Sequence, residues 1–411
     1  MIKKIQISNF RSCKKVELAK LGDLVALIGR NGTGKTNILR AVDWLAQMAI
    51  LNDINRYIQD DLLLSFKQGS LAIQIEVEIE GNIYFHSFER SRRILSKANE
   101  GTEISDTISE KLFIKVGKII KAIFEWNGPS VTSPLREGEI KIGSYTGCLT
   151  GLNSLLPSAD PLAVAIRPFL KFISAIRYYS IDEPIASTSE SSLEFVIPEK
   201  DYKQWLSQYR ETRNAGNSVS MRILHMSLQF LKQFSIFKQL LGPNVLDLID
   251  DIDISNNSMR LFDGSKSASP NLFYQVRFRP SSAIHPDDTQ SYFSYKDLST
   301  GTRRVIKILV SLLFDESSVM LLEHPEDGIH SGLLSKLIAV LKTYAGSTQI
   351  IFASHSSTVL NELEPKDIRM VAMKAGNTTV HALKPKELKA AKQYLAEQGT
   401  LAEFLELVED D

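Results

Sequence analysis

Over the first fifty residues the rhythm of apolar and polar positions changes twice. Ile2–Phe10 mixes the two as an edge strand does, and after a loop Leu24–Ile28 (LVALI) is an unbroken apolar run of the kind buried inside a sheet. A glycine-rich turn follows. Then Ile38, Val42, Leu45 and Ala49 recur on one face of a helix spanning Asn37–Ile50. From Leu71 the period drops to two: Leu71, Ile73, Ile75, Val77 and Ile79 alternate with polar residues, and Gly81-Asn82 turns the chain into Ile83–Phe88, an antiparallel hairpin. Asp201–Phe237 reads as helical with a break at Ala215-Gly216-Asn217, and the polar stretch Ser180–Ser192 reads as a boundary. The last third alternates helix and strand: helix Thr302–Phe314, strand Val319–Leu322, helix Leu333–Tyr344, strand Gln349–Ala353, then a helical tail from Pro385. Strands separated by such helices predict a mostly parallel sheet.

These elements predict an α/β chain of three parts. Residues 1–180 form an N-terminal lobe with the glycine-rich turn and an antiparallel subdomain, residues 181–255 a mainly helical insertion, and residues 256–411 a C-terminal lobe. Composition narrows the class. Of 411 residues 43% are hydrophobic and 23% charged, which excludes a largely disordered chain. Lys plus Arg equals Asp plus Glu at 48 each, so any nucleic-acid contact must come from a local patch; Arg90, Arg92 and Arg93 form the one short basic cluster of the N-terminal lobe, read as a solvated face with a phosphate-contacting patch as the alternative. Two cysteines, Cys13 and Cys148, make no disulfide framework and fit a reducing compartment. The longest apolar stretch, Val305–Phe314, falls short of the roughly 18 residues a membrane helix needs, and the N-terminus lacks a signal-peptide core, so a cytoplasmic protein without membrane contact is expected.

The turn itself, GRNGTGKT (Gly29–Thr36), matches the phosphate-binding pattern G-x-x-x-x-G-K-[ST] in full, after a buried strand and opening a helix. Gly29, Gly32 and Gly34 permit backbone angles that aim successive N–H groups at phosphate oxygens, and the helix N-terminus adds its own unpaired amides. Lys35 neutralises the β- and γ-phosphates and the Thr36 hydroxyl is placed to ligate Mg²⁺. A nucleoside triphosphate is the expected ligand.

Further strings give the turn a family context. LSTGTRR (Leu298–Arg304) opens a helix; VMLLEHPEDGIH (Val319–His330) ends an apolar strand in acidic residues; IIFASHS (Ile350–Ser356) puts His355 at the end of another; and ISNFRSCKKVEL opens the chain. In that order they resemble the signature motif, the Walker B strand with its D-loop, the switch histidine and the first strand of ABC-type ATPases of the SMC, RecF and OLD branch. The resemblance covers about the first ninety and the last hundred and twenty residues. It implies a two-lobed ABC head using ATP and Mg²⁺, with Arg11, Asn31, Gly32, Thr33, Gly34, Lys35, Thr36 and Asn37 on the nucleotide. It also implies that Ser299 and Gly301 cap the γ-phosphate held by a second copy, that His355 senses that phosphate, and hence a head-to-tail homodimer with composite ATP sites.

The chain departs from the family at one place. The usual Walker B ending, Asp-Glu, reads Glu323-His324 here. Glu323 keeps the charge needed beside Mg²⁺. His324 replaces the carboxylate that polarises the attacking water, and loss of a well-placed base costs on the order of 10² to 10⁴ in rate, so slow hydrolysis is expected. Glu326 and Asp327 are rival bases. His324, Glu326 and His330 as metal ligands lack the helical spacing of zinc sites, and that reading is set aside. Some OLD relatives append a Toprim nuclease; the stretch after His355 is too short for one. By resemblance, the chain is expected to be an ATP-gated regulator of a separate effector, a nuclease or toxin, in antiviral defence. The alternative is a RecF-like clamp on duplex DNA.

Overall fold

The computed structural model describes residues 1–50, 69–97, 101–128, 130–142, 147–180, 196–212, 218–259, 271–282, 291–397, 399–401 and 403–404. The chain divides into two compact units that are not contiguous in sequence: 1–181 with 317–325 and 341–411, and 182–316 with 326–340. The segment expected as a C-terminal lobe, 256–411, contributes to both.

The strands of the N-terminal third are β1 (Ile2–Phe10), β2 (Cys13–Ala19), β3 (Leu24–Ile28), β4 (Gly69–Ile79), β5 (Asn82–Lys97), β6 (Gly101–Val116), β7 (Ile119–Asn127), β8 (Ser130–Thr132) and β9 (Ile140–Lys141). Then come β10 (Ile176–Tyr179), β11 (Ile197–Pro198), β12 (Ile249–Met259) and β13 (Asn271–Pro280). The last are β14 (Val319–Glu323), β15 (Gln349–Ser354), β16 (Ile368–Lys374) and β17 (Asn377–Ala382).

In the first unit, one antiparallel sheet runs β2-β1-β4-β5-β6-β7-β8-β9. The edge position predicted for Ile2–Phe10 is corrected: β1 pairs with β2 on one side and β4 on the other. The edge strand is β2, which reads as loop because exposed Lys14, Lys15 and Glu17 interrupt buried Cys13, Val16 and Leu18. At the β4–β5 hairpin Ile79 faces Asn82, and the two turn residues are Glu80 (φ 50°) and Gly81 (φ 78°), one position earlier than expected. Both left-handed angles suit the twist of a two-residue hairpin. Arg90, expected on a solvated face, is 2% exposed, while the side chains of Arg92 and Arg93 lie outside the described residues.

The second sheet of this unit runs β10-β14-β15-β3-β16-β17, parallel except for the last pair. All five residues of β3 are buried between β15 and β16. The helices of this unit in its N-terminal part are α1 (Lys35–Ile50), α2 (Cys148–Leu155) and α3 (Pro161–Ile173). The predicted stripe of α1 is buried, but so are Leu39, Ala41, Trp44, Ala46 and Met48. The reason is that α1 packs against strands of both sheets: Trp44 meets Phe88 edge-on at 5.2 Å and Phe10 at 6.2 Å, while Ile38 and Val42 share a core with Leu321 and Ile351. A side-chain amide ties the sheets' ends together. Gln349 accepts from the Ile2 amide at 2.7 Å and donates to the carbonyls of Ile2 and Gly22, each at 2.8 Å.

In the second unit β11-β13-β12 form an antiparallel sheet with α4 (Glu199–Thr212), α5 (Val219–Gln229), α6 (Leu231–Leu241) and α7 (Thr300–Phe314). Within the stretch 181–255, α4, α5 and α6 are joined by β11 and the start of β12. The predicted break at 215–217 and the boundary at 181–192 lie outside the described residues. A further break, at Phe230, separates α5 from α6. Aromatic rings hold this unit together: Trp205 stacks on Tyr209 at 5.2 Å, Tyr209 on Phe314 at 5.2 Å, and His225 donates or accepts with the Tyr202 hydroxyl at 2.7 Å. Ser331–Tyr344 (α8), Ser357–Asn361 (α9) and Pro385–Ala396 (α10) are the remaining α-helices among the described residues.

Candidate functional site

Each glycine of the strand-to-helix turn has its own reason. A Cβ on Gly29 would land on the Val371 carbonyl oxygen of β16, and one on Gly34 (φ 99°) would land on the Thr378 hydroxyl. Gly32 (φ 81°) faces open space, where its backbone is free to meet a ligand. Lys35, 4% exposed, curls its ammonium across the loop to the carbonyls of Gly29 (2.6 Å) and Arg30 (2.9 Å), on the side where phosphate oxygens would be met. A chain of hydroxyls and amides braces the turn from behind. Arg11 donates to Asn37 (3.3 Å), Asn37 to Ser12 (2.8 Å), Ser12 pairs with Thr378 (2.7 Å), and Thr378 donates to the Thr33 carbonyl (3.0 Å). A cavity of about 290 Å³ opens over the loop, lined by Asn31, Gly32, Gly34, Lys35, Thr36 and Asn37 together with Ser12, His324 and Met373.

The strand β14 delivers the second half of the site. The Thr36 hydroxyl donates to Glu323 Oε1; the Tyr178 hydroxyl donates to Oε2, and Ser180 reaches the same oxygen at 3.4 Å. The Arg40 guanidinium lies 4.0 Å over the Tyr178 ring. Burial works against ionisation of Glu323, but the bonds from Thr36 and Tyr178 and the fields of His324 and Arg40 outweigh it and hold the carboxyl below its ordinary range. The Tyr178 phenol is pushed far up by burial and by that carboxylate, so it stays a donor. A hydroxyl and an ionised carboxylate beside a buried ammonium are the hard oxygen donors that Mg²⁺ on a phosphate chain requires, and the residues fit that ion.

Tyr178 was not visible as a site residue, since IRYY carries no motif. Its role yields a prediction. Tyr178→Phe removes a hydrogen bond to a charged group, of order 1.5–3 kcal/mol, and should raise the Mg²⁺ concentration for half-maximal nucleotide binding by at least about tenfold, with binding in EDTA unchanged. The folded-state carboxyl is depressed, so its ionised form is lost as pH falls through that lowered value; without Tyr178 the loss sets in at higher pH. Fluorescence titration of a labelled nucleotide across pH and Mg²⁺ reads both effects.

Beyond Glu323, His324 takes a left-handed backbone (φ 43°) and its amide donates to the Ala353 carbonyl at 3.0 Å. His355 follows the end of β15, the neighbouring strand, so the two imidazoles meet with Nδ1 atoms 3.3 Å apart. Glu326 is buried at the start of the second unit's 326–340 segment, with its carbonyl accepting from Ile329 (3.1 Å); Asp327 and His330 are exposed. Ser299 is the N-cap of α7, accepting from the Thr302 amide at 3.1 Å. A Cβ on Gly301 would land on the Gly328 carbonyl. Ser299 and Gly301 stand in the second unit, whereas the described residues lining the cavity all belong to the first.

A parallel sheet whose central strand feeds a phosphate loop, beside a strand ending in a carboxylate bonded to the loop's threonine, defines a P-loop nucleotide-binding head. Comparisons with known proteins narrow the class. A family model described as "AAA ATPase domain" matches residues 1–126, and one described as "AAA domain, putative AbiEii toxin, Type IV TA system" matches residues 170–361. The chain is 31% identical over 113 residues to the DNA replication and repair protein RecF of Leptospira biflexa, covering 26% of this chain and 30% of RecF. It is 19% identical over 275 residues to the DNA double-strand break repair Rad50 ATPase of Methanococcus maripaludis (64% of this chain, 26% of Rad50). To the OLD nuclease of Thermus scotoductus it is 51% identical over 43 residues (10% and 8%). Among solved structures, the SMC head domain from Thermotoga maritima aligns over 93% of this chain and 99% of its own, at 12% identity and a TM-score of 0.42. Two AAA ATPase family models match the chain in succession, and the similarities to RecF, Rad50 and the OLD nuclease support an ABC-type ATPase of the SMC, RecF and OLD branch. The chain spans less than a third of the length of the curated relatives it matches.

Proposed function

We propose that the protein binds ATP with Mg²⁺, hydrolyses it slowly, dimerises around it and thereby controls a separate effector in antiviral defence. One observation carries the reading of the site: Thr36 and Glu323 share a hydrogen bond over the phosphate loop, while the next residue, where the family carries a carboxylate base, is His324. Lys35 and the amides of the turn grip the β- and γ-phosphates, and Thr36 and Glu323 hold the ion, which neutralises charge on the phosphates when bound. His324, lining the cavity, accepts a proton from the attacking water less effectively than a fixed carboxylate would. Ser299, with the N-terminal amides of α7, caps the γ-phosphate held by a second copy. His355, in contact with His324, senses that phosphate. The effector is a nuclease or toxin; the toxin–antitoxin wording of the family model over 170–361 supports a partnered system of this kind. The setting is cytoplasmic, in keeping with the lack, among the described residues, of any helix long and apolar enough to cross a membrane.

The test is ATP turnover against protein concentration, with and without duplex DNA at two salt concentrations. Turnover rising faster than linearly with concentration, and lost in Ser299→Arg mixed with nothing else, is the expected result. Linear turnover at all concentrations would sink the composite dimer. The similarity to RecF favours one second reading, a clamp on duplex DNA: there, DNA would stimulate turnover at low salt only.

A further inference from the structure

We propose that His324 and His355 are the two protein ligands of a site for a borderline-soft divalent ion of the zinc class, separate from the hard-ion site at Thr36 and Glu323. The inference goes beyond the functional reading and does not depend on it. The Nδ1 atoms stand 3.3 Å apart. A tetrahedral ion with metal–imidazole bonds of about 2.0–2.1 Å separates any two ligand atoms by about 3.3–3.4 Å, so the pair already spans one tetrahedral edge. The rings lie at 63° to each other, edge to face, with centroids 5.2 Å apart.

The scaffold under the pair is stiff. β14 and β15 are adjacent parallel strands, Glu323 faces Ala353 across them, and the His324 amide is pinned to the Ala353 carbonyl. His324 holds a left-handed backbone, which turns its side chain away from the strand direction and which histidine tolerates better than most residues. His355 is exposed, so an ion and the waters completing its sphere have access. Consecutive residues thus sort two cations by chemistry. Glu323 offers oxygen with the Thr36 hydroxyl, the donor set of Mg²⁺; His324 offers nitrogen with His355, the donor set of Zn²⁺, Co²⁺ or Ni²⁺. The metal reading of the sequence fails in one member: exposed His330 accepts from the Gly332 amide at 3.4 Å, and His355, thirty-one residues from His324, takes its place beside it.

Proton bookkeeping is simple. In a neutral pair one Nδ1–H donates to the other Nδ1; the ion takes both Nδ1 lone pairs, the shared proton moves to Nε2, and no net proton is released.

The experiment is Co²⁺ titration of the full nucleotide-free chain in excess Mg²⁺, followed by visible absorption, with Zn²⁺ displacement and zinc-edge X-ray absorption on the wild type. One Co²⁺ per chain with the intense bands of low coordination, displaced by Zn²⁺, and a zinc spectrum showing two imidazoles are expected. His324→Gln and His355→Gln should each weaken binding by at least about tenfold, since losing even an outer-shell partner costs about 10–100-fold. The double variant should lose little more than the worse single, because both ligands serve one ion. Wild-type affinity in the double variant, or a zinc spectrum without two imidazoles, overturns the proposal; the latter needs no variant to fold. Mg²⁺–nucleotide binding, measured in the same samples, reports separately on the Thr36–Glu323 site, so failure of one is not mistaken for failure of the other.

Discussion

Lys35→Ala is expected to abolish saturable nucleotide binding at ordinary concentrations and to bring turnover to background. Lys35 is the buried ammonium of the phosphate loop, and it donates to the carbonyls of Gly29 and Arg30. Those are neutral acceptors, so trading them for phosphate oxygens gains a full charge–charge interaction in a partly dry site. Removing one such donor from a preorganised anion site costs on the order of 10² to 10³, about 2.7–4 kcal/mol. The same truncation unties two carbonyls in the loop, so a small loss of thermal stability is expected as well. Isothermal titration with ATP and Mg²⁺, beside an unfolding curve, separates the two. Unchanged affinity in a folded variant would remove Lys35 from the site.

The second large effect has the opposite sign. His324→Glu restores a carboxylate to the position where the family carries its base, and turnover should rise by on the order of 10² or more, the range expected for a well-placed base. The left-handed backbone opposes the gain only weakly, since a non-glycine residue there costs roughly 1–2 kcal/mol and His324 already bears that cost. His324→Gln should fall below the wild type. If the glutamate variant is no faster, water activation belongs elsewhere, and Glu326→Gln becomes the discriminating variant.

What could be read from the sequence was what depends on neighbours along the chain. The unbroken run LVALI gave β3, the recurring Ile38, Val42, Leu45 and Ala49 gave α1, and the apolar stretches before Glu323 and His355 gave β14 and β15. The edge strand β2 was missed because short polar–apolar alternation with two lysines resembles a loop until β1 is there to pair with it. β6, β7, β12 and β13 went unread for a similar reason: long strands rich in charged residues are stabilised by cross-strand partners more than by their own pattern. In the site, the loop glycines, Lys35 and Thr36 followed from the spacing of the phosphate-binding pattern, and Glu323 from the resemblance of its strand to Walker B. Tyr178 and Thr378 did not, because each acts through a contact 145 to 366 positions away, on Glu323 and Ser12 respectively. The meeting of His324 with His355 is likewise a product of strand order.

The floor of the phosphate loop has a consequence for biosynthesis. Gly34 rests on Thr378, Gly29 on Val371, and β3 lies between strands made after residue 348. The loop leaves the ribosome early, yet its support follows some 340 residues later, about 20–70 s at a usual elongation rate of about 5–20 residues per second. Until then the nascent chain carries the complete phosphate-binding string without the surface that shapes it. Chains broken off between residues 36 and 378 therefore possess the motif and lack the grip, so that only polypeptides synthesised past that point join the nucleotide-responsive pool.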